Sequence, residues 1–245
     1  MTTRTRRSPR RKEALSSERI VETAIELLDA TGEDGLTFRA LTERLATGPG
    51  AIYYHVANKS DLLSAATDAV VAAALALKPT EPADAPWAGI HAVALGLFDA
   101  IGQHPWLATQ LSTQLSRSPW GPVAPRIFES VGRQVHALGV PEDGWFTAGS
   151  TLMHYILGAA GQNAANTASA RTRGPDADRA QFLDTVAEAW EQLDPDDYPI
   201  TRAVAGQMRE HDDREQFLAG IDLILAGITT ALHLPSGTPG APPAA

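Results

Sequence analysis

The stretch LTFRALTERLATGPGAIYYHVANKSDLL, residues 36–63, carries the pattern of two short helices joined by a Gly-Pro turn and followed by the start of a third helix. Leu36, Leu41 and Leu45 recur along the first segment, whose charged residues fall mostly on another face, so it is predicted to be a short amphipathic helix that Thr37 can cap. This helix must end soon after its last leucine, because a Gly-Pro-Gly turn follows. Two short helices with a tight turn between them are typical of a DNA-reading helix-turn-helix.

The second short helix is predicted over residues 49–55, because proline suits the first helical turn, where its missing N–H would have no partner. Ala51 and Ile52 are expected to face inward. The next three side chains are expected to lie near a surface: Tyr53, Tyr54 and His55.

A capping pattern marks the start of the third helix. Asn58 can accept a hydrogen bond from the first helical turn, and Asp61, three residues later, can return it. Lys59 lies beside this cap, where the helix dipole disfavours a cation. A DNA phosphate opposite Lys59 would explain the cation at this position.

Residues 17–63 resemble the N-terminal domain of the TetR family of transcriptional regulators. The resemblance covers a first helix over 17–31, a turn over 32–35, the two short helices, and the run AIYYHV with the Asn-Lys and Leu-Leu pairs that follow it. The first helix carries one apolar stripe, formed by Ile20, Val21, Ala24, Leu27 and Leu28. The resemblance implies that Tyr53 and Lys59 hold the DNA backbone, and that residues at the start of the second short helix reach base edges.

The chain departs from the family pattern at Gly48, Pro49 and Gly50, where relatives often carry polar or basic side chains. These residues cannot read a base through side-chain hydrogen bonds, so few direct contacts with base edges are expected. Pro49 and Ala51 can only touch a thymine methyl. Three side chains remain for base contacts: Thr47, Arg39 and Tyr54. The full set of predicted DNA contacts is Arg10, Arg11, Thr37, Arg39, Thr47, Gly48, Pro49, Ala51, Tyr53, Tyr54, His55 and Lys59.

Residues 1–16 are predicted to form a basic flexible arm. Six cations occur in it before the first acid: Arg4, Arg6, Arg7, Arg10, Arg11 and Lys12. Such arms can enter the minor groove or follow the phosphates, so we assign part of the specificity to this arm as a hypothesis. The alternative is a disordered tail without a role.

The 245 residues, 44% of them hydrophobic, suit a small DNA-binding domain plus a larger helical body. The formal net charge of -9 argues against a simple nucleic-acid binder. However, residues 1–63 carry about +1 and the remainder about -10, by count of charged side chains. An acidic body would be repelled by the duplex, which helps to orient the molecule.

No cysteine is present, which excludes disulfides, thiolate metal sites and cysteine nucleophiles. The basic start is followed by Glu13 and Glu18 rather than by an apolar run, so no secretory signal is expected. The longest apolar stretch, residues 69–77, is too short to cross a bilayer. We therefore expect a cytoplasmic protein without membrane association.

Beyond residue 63 the pattern stays helical, and no segment shows the two-residue alternation of a strand. The fold class is therefore predicted to be all-α, with a three-helix DNA-binding domain over 17–63, a helical effector-binding and dimerisation domain over 64–234, and a disordered tail over 235–245. Helices are predicted over residues 58–77, 87–103, 105–116, 125–138, 142–168, 177–193 and 214–234.

Two of these helices have apolar stripes that would suit a dimer interface. The predicted interface residues are Leu152, Ile156, Ala160, Phe217, Ile221, Ile224 and Ile228. From periodicity alone, both stripes could equally face one intramolecular core. The resemblance favours the dimer, since TetR-like proteins dimerise through their last long helices, and two-fold operators pair two recognition helices.

Aromatic and polar side chains in the body suggest a small-molecule pocket, which is usually mostly apolar with a few polar groups. The candidate effector contacts are His91, Phe98, Trp106, Gln110, Gln114, Phe128, Trp145 and His154. The alternative is that the aromatics fill core and the histidines bond to backbone. The C-terminal part most resembles the tetracycline-repressor branch, but Leu75 replaces the histidine that this branch uses for the metal-drug complex. No magnesium, other metal or cofactor is expected.

The sequence thus predicts a homodimeric regulator, by family resemblance a repressor, that binds a palindromic operator and is released by a small molecule of unknown identity. A DNA-binding dimer that senses a protein partner, or no ligand, is the alternative. An enzyme is the remote alternative, because no catalytic or nucleotide-binding motif occurs.

Overall fold

The structure is a computed structural model that describes residues 15–76, 87–172 and 179–233. All regular secondary structure in these three ranges is helical, so the prediction of an all-α fold is confirmed. The helices are α1 (Ser17–Gly35), α2 (Phe38–Leu45), α3 (Pro49–Tyr53), α4 (Lys59–Leu75), α5 (Ala88–Gln103), α6 (Trp106–Arg117), α7 (Val123–Ala137), α8 (Trp145–Thr172), α9 (Arg179–Glu191), α10 (Pro199–Arg209) and α11 (Asp213–His233).

The chain divides into two compact units, Met1–Ala66 and Thr67–Ala245. The division falls inside α4, so that one helix contributes its first residues to the smaller unit and its later residues to the larger one. The sequence placed the domain boundary slightly earlier, between residues 63 and 64.

The smaller unit has a core to which each of its helices contributes. Ile20 and Ala24 of α1, Leu41 of α2 and Ile52 of α3 are completely buried. The expectation that Ala51 also faces inward is wrong, because Ala51 is exposed. A helix as short as α3 can turn little more than one side chain into the core.

Local backbone signals define the ends of the first two helices. Gly32 has φ 68, which interrupts the helical geometry of α1 where the sequence predicted a turn. Thr37 caps α2, and its side-chain oxygen accepts a hydrogen bond from Ala40 N at 3.1 Å. At the other end of α2, Ala46 adopts a left-handed conformation, so the chain leaves the helix there.

The larger unit is arranged around α8, which packs against α5, α6, α7 and α11. Ile101 of α5, Ile127 of α7, Leu152 and Ile156 of α8, and Ile221 of α11 are buried to at least 99%. These branched apolar side chains form the core that holds the surrounding helices in place.

The helix α10 was not anticipated from the sequence, which left residues 200–210 unassigned between two breaks. α9 and α10 pack against each other, and Ala187 and Ala205 are completely buried. Arg209 joins the two helices through ion pairs with Asp184 at 2.7 Å and Glu191 at 2.6 Å. Pro199 at the first turn was the local signal for this helix.

Most of the predicted basic arm, including Arg10 and Arg11, lies outside the described residues, as does the predicted tail over 235–245. Within the described ranges, no helix has the combined length and hydrophobicity needed to cross a bilayer.

Candidate functional site

The first candidate surface is formed by α2, α3 and the start of α4. Eight of the predicted DNA contacts are exposed there: Thr37, Arg39, Gly48, Pro49, Ala51, Tyr53, Tyr54 and Lys59. Two are partly buried: Thr47 and His55. Eight of the ten described DNA contacts are therefore accessible within this unit, although their role stays a prediction.

Tyr53 is held by a ring contact that the sequence did not indicate. Its ring stacks on Phe38 of α2, with centroids 4.6 Å apart and planes inclined by 14°. The side chain nevertheless remains half exposed, at 54%, and the next residue, Tyr54, is 86% exposed. An aromatic contact of this kind restricts the ring and thereby positions the tyrosine at the surface.

His55 and Lys59 are tied to other parts of the same unit. His55 Nδ1 lies 3.1 Å from Ser17 Oγ at the start of α1. Lys59 Nζ donates a hydrogen bond of 2.5 Å to the main-chain oxygen of Glu33 near the end of α1. The cation that α4 disfavours at its N-terminus is thus placed against the main-chain carbonyl of Glu33 near the C-terminus of another helix, where a cation is favourable.

The capping pattern predicted at the start of α4 is present. Asn58 Oδ1 accepts a hydrogen bond from Asp61 N at 2.9 Å, and Asn58 Nδ2 donates to Asp61 Oδ2 at 3.0 Å. The return bond therefore comes from the side-chain amide of Asn58 rather than from its main chain. The cap places Lys59 at the first turn of α4.

Arg39 is engaged within its own helix. Its Nε donates to Glu43 Oε1 at 2.9 Å, although the arginine side chain is 87% exposed. This hydrogen bond raises the pKa of Arg39 above its ordinary value, so the guanidinium is charged. To contact a base, Arg39 must exchange an exposed ion pair, which is a weak interaction in water.

The second candidate site is a cavity of about 730 Å³ in the larger unit. Helices α5, α6, α7 and α8 and the loop after α6 supply its lining, which consists of Ile101, Ala108, Leu111, Ser112, Leu115, Ser116, Pro119, Ala124, Pro125, Phe128, Phe146, Met153, His154, Leu157 and Gly158. We call it the α6–α8 cavity. Phe146, His154 and Gly158 are exposed, so the cavity opens to solvent along α8.

Two of the eight predicted effector residues, Phe128 and His154, line the α6–α8 cavity. The sequence missed Ser112 and Ser116, which follow Leu111 and Leu115 at helical spacing on α6. The Leu-Ser pair repeats after four residues, and this repeat is the sequence signal that indicates the cavity-lining face of α6.

The other six predicted effector residues do not line this cavity, and their role in effector binding stays a prediction. His91 Nε2 lies 2.8 Å from Asp222 Oδ1 of α11. Trp145 Nε1 donates to Val140 O at 2.6 Å. Trp106 and Gln110 are buried, and Gln114 is partly buried.

Phe98 lines a different, smaller cavity of about 420 Å³ between α5, α8 and α11. Its ring stacks on Phe217 at 4.5 Å between centroids, and Phe217 in turn stacks on Tyr155 at 5.9 Å. Burial raises the pKa of Tyr155 above its ordinary value, so its hydroxyl is protonated and donates to Phe217 O at 3.1 Å.

The predicted dimer residues lie mainly inside the single chain. Leu152, Ile156, Ala160, Phe217 and Ile221 are at least 98% buried, so their assignment to a dimer interface is wrong and they belong to the core. The two remaining residues, Ile224 and Ile228, are partly buried. The alternative of one intramolecular core therefore describes these stripes, because the largest apolar side chains of α8 and α11 face their own bundle.

Other faces of the same two helices are exposed. The exposed residues include Thr147, Thr151 and Ala165 on α8, and Ala219, Leu223, Ala226, Gly227 and Thr230 on α11. Most are small, which permits close approach of another helix. Across the described ranges, no group of three or more His, Cys, Asp or Glu residues could hold a metal ion.

Comparison with protein families gives two matches that together span both units. The family model described as "Tetracyclin repressor-like, C-terminal domain" matches residues 78–232, and the one described as "Bacterial regulatory proteins, tetR family" matches residues 20–66. The resemblance of the C-terminal part to the tetracycline-repressor branch is therefore confirmed.

Two curated relatives are transcriptional regulators. An HTH-type transcriptional regulator of Saccharopolyspora erythraea is 29% identical over 235 residues, which cover 94% of this chain and 92% of the relative. The HTH-type transcriptional repressor DrrR1 of Streptomyces coeruleorubidus is 31% identical over 150 residues, 61% of this chain. That match spans 54% of DrrR1, about half of its length.

Solved structures share the same fold. The transcriptional regulator SCO7222 of Streptomyces coelicolor is 69% identical, with a TM-score of 0.79 over 90% of this chain and 100% of that protein. ActR of the same organism, solved in complex with actinorhodin, is 25% identical, with a TM-score of 0.71 over 89% of this chain and 97% of ActR. BioQ bound to its double-stranded DNA operator is 26% identical, with a TM-score of 0.56 over 88% of this chain and 98% of BioQ.

Proposed function

Because this chain belongs to the TetR family of bacterial transcriptional regulators, we propose that it represses transcription by binding a palindromic operator as a homodimer, and that a small molecule releases it. The α6–α8 cavity is the proposed effector site. The proposed ligand response rests on this cavity, which has the volume of a drug-sized ligand site. Its lining includes residues of α7, and α7 forms an ion pair with α4.

The DNA-binding step is assigned to α2, α3 and the start of α4. Tyr53, stacked on Phe38, and the next residue, Tyr54, are both exposed, and both follow a turn that carries no bulky side chain. The similarity to BioQ, which was solved on its DNA operator, supports this assignment. Tyr53 and Lys59 would position the protein on phosphates, while Thr47, Pro49 and Ala51 would meet base edges.

The homodimer is assigned to the exposed small-residue faces of α8 and α11 rather than to their buried apolar stripes. Leu223 is 76% exposed in the middle of this face, with Ala219 and Ala226 on either side along α11. Two copies of such a helix pair would form a four-helix interface in which small residues allow close packing. A dimer would present two α3 helices to two halves of a palindrome.

The effector step is assigned to the α6–α8 cavity, and the similarity to ActR with bound actinorhodin supports a small-molecule ligand. Ala124, Pro125 and Phe128 of α7 line the cavity, and Arg126 between them binds Asp68 of α4. A ligand that displaces α7 would therefore act on α4. Because α4 begins at Lys59 in the DNA-binding unit, its displacement would change how that unit meets the operator.

Release requires that the ligand bind the two conformations of the dimer with different affinity. Couplings of about 1 to 3 kcal/mol are typical, which corresponds to roughly 5- to 150-fold weaker operator binding. The ligand need not dissolve the dimer to achieve this.

The test combines DNA binding with sedimentation. The purified ligand-free protein should bind palindromic DNA from near its own promoter at modest ionic strength, and should sediment as a dimer. A metabolite that stabilises the protein against heat should weaken operator binding while the dimer persists. A strictly monomeric protein, or one that ignores such palindromes, contradicts the operator proposal; a stabilising ligand that leaves operator affinity unchanged contradicts the effector proposal.

A further inference from the structure

Among the described residues that line the α6–α8 cavity there is no Asp, Glu, Lys or Arg, and His154 is the one ionisable side chain of that lining. We infer that this cavity binds an uncharged, planar aromatic compound with a single hydrogen-bonding edge. The inference rests on the proposed effector function of the cavity and specifies the chemistry of the ligand.

The absence of full charges from the lining selects against charged ligands. A carboxylate, phosphate or ammonium group that enters a largely apolar cavity loses its hydration and finds no oppositely charged partner there. Such a group would have to stay at the open side of the cavity, where Ser112, Ser116 and Phe146 are exposed. A neutral ligand can use the full volume of the cavity without this cost.

Two phenylalanine rings favour a flat aromatic ligand. The centroids of Phe128 and Phe146 lie 5.9 Å apart, with planes inclined by 35°. Phe128 is also pressed against α8, since a Cβ atom added at Gly149 would lie 3.4 Å from Phe128 Cζ. Phe128 thus provides a supported surface, whereas the exposed Phe146 is free to pack onto a ligand ring. Met153 adds a polarisable thioether, which packs well against aromatic rings.

The polar groups are few and lie on two helices. Ser112 and Ser116 are one turn apart on α6, and His154 lies on α8. A serine hydroxyl can donate and accept a hydrogen bond, and a ring nitrogen of the histidine can form one as well. A ligand with a phenolic hydroxyl or a quinone-type carbonyl along one edge would match these groups, while its remaining surface would meet Leu111, Leu115 and Leu157.

The experiment compares three ligands of one ring system with the full-length protein. The probes are 9-phenanthrol, phenanthrene-9-carboxylate and 9-(aminomethyl)phenanthrene, which are neutral, anionic and cationic at neutral pH. Their dissociation constants are measured by calorimetry in the absence of DNA. We expect 9-phenanthrol to bind at least about tenfold more tightly than either charged analogue. Equal or tighter binding of a charged analogue, or no binding of any probe, overturns the inference.

Variants then locate the binding site. His154→Ala should weaken 9-phenanthrol severalfold but leave 9-methylphenanthrene, which has no hydroxyl, unchanged; Phe128→Leu should weaken both. Matched controls are His136→Ala and Phe182→Leu, which lie outside the cavity lining and should change neither affinity. If the two control variants weaken binding as much as the cavity variants do, the probes bind elsewhere and the inference fails.

Failure of the ligand chemistry and failure of the proposed switch are distinguishable. If the protein binds 9-phenanthrol more tightly than the charged probes, but the bound probe does not change operator affinity, the inferred ligand chemistry stands. The proposal that a ligand in this cavity releases the operator is then contradicted. Operator release by a charged compound that binds through His154 and Phe128 supports the switch and overturns the inferred ligand chemistry.

Discussion

Arg126 of α7 holds Asp68 of α4 through two hydrogen bonds, from Nε to Oδ1 at 2.9 Å and from Nη2 to Oδ2 at 3.2 Å. This paired geometry fixes the relative direction of the two side chains better than a single contact would. Arg126 follows Ala124 and Pro125, which line the α6–α8 cavity. The ion pair is therefore a direct side-chain connection through which a ligand-induced movement of α7 would reach α4.

Asp68→Asn and Arg126→Gln should weaken the coupling between effector and operator. Each substitution removes the charge-assisted pair but leaves the cavity lining and the DNA surface unchanged. Operator affinity without ligand and ligand affinity without DNA should change little, because the pair is partly exposed. The ligand-induced loss of operator affinity should shrink by about fivefold or more, as measured by fluorescence anisotropy with and without ligand.

The matched control for this prediction is Glu129→Gln, which removes an exposed ion pair with Arg133 on the same helix. It should leave the coupling intact. The exchange Asp68→Arg with Arg126→Asp restores opposite charges and should recover part of the coupling. If the ligand still weakens operator binding fully in both Asp68→Asn and Arg126→Gln, α7 does not act on α4 through this ion pair.

Lys59→Met should lower the salt dependence of operator binding. The side chain donates to Glu33 O, yet its ammonium group has two further hydrogens for a phosphate. If each subunit's Lys59 neutralises one phosphate, the slope of log K against log salt should fall by about 0.9 per subunit. Lys59→Arg keeps the charge and should retain most of the slope. If the slope is unchanged in Lys59→Met and the unfolding temperature is lower, Lys59 stabilises the contact between α1 and α4 and does not bind a phosphate.

Tyr53→Phe should weaken operator binding while the fold stays intact. The substitution keeps the ring on Phe38 and removes just the hydroxyl group. One lost hydrogen bond is worth about 1 kcal/mol, which corresponds to roughly fivefold weaker binding per subunit. Operator affinity is measured beside the unfolding temperature. Tyr198→Phe, at another half-exposed tyrosine, is the control and should change neither value. Unaltered affinity in Tyr53→Phe would exclude a phosphate contact through this hydroxyl.

Gly220→Ala should destabilise the larger unit. An added Cβ would lie 1.9 Å from Tyr155 Oη, so the tyrosine ring would have to leave its stack on Phe217. Overpacking of this kind costs about 1 to 3 kcal/mol in the free energy of unfolding. Gly132→Ala in the middle of α7 meets nothing within 4 Å and should instead stabilise the protein by about 0.5 to 1 kcal/mol. Chemical denaturation measures both, and a stabilised Gly220→Ala protein would contradict the packing described for Tyr155.

Much of the DNA-binding unit could be predicted because its signals are local. The cap at Thr37 joins residues three positions apart, and so does the box formed by Asn58 and Asp61. Gly32 interrupts α1 through its own positive φ angle. Such features depend on neighbours in the chain, so residue identity and spacing are sufficient to predict them.

The helices of the body could be predicted in the same way, but their partners could not. Periodicity identified the apolar stripe with Leu152 and Ile156 on α8, and that stripe faces its own core rather than another subunit. A repeat of three and four residues tells which side chains share a face, because it follows from helix geometry. It contains no information on whether that face meets the same chain or a second one.

The sequence by itself determined an all-α chain with a helix-turn-helix unit and a TetR-like body, since capping, turns and helical periodicity act over a few residues. The tertiary structure alone decided which distant groups meet: Lys59 with Glu33 across 26 positions, Arg126 with Asp68 across 58, and the serines of α6 with His154 around one cavity. Those contacts depend on how whole helices pack, and packing is a property of the assembled core rather than of any single segment.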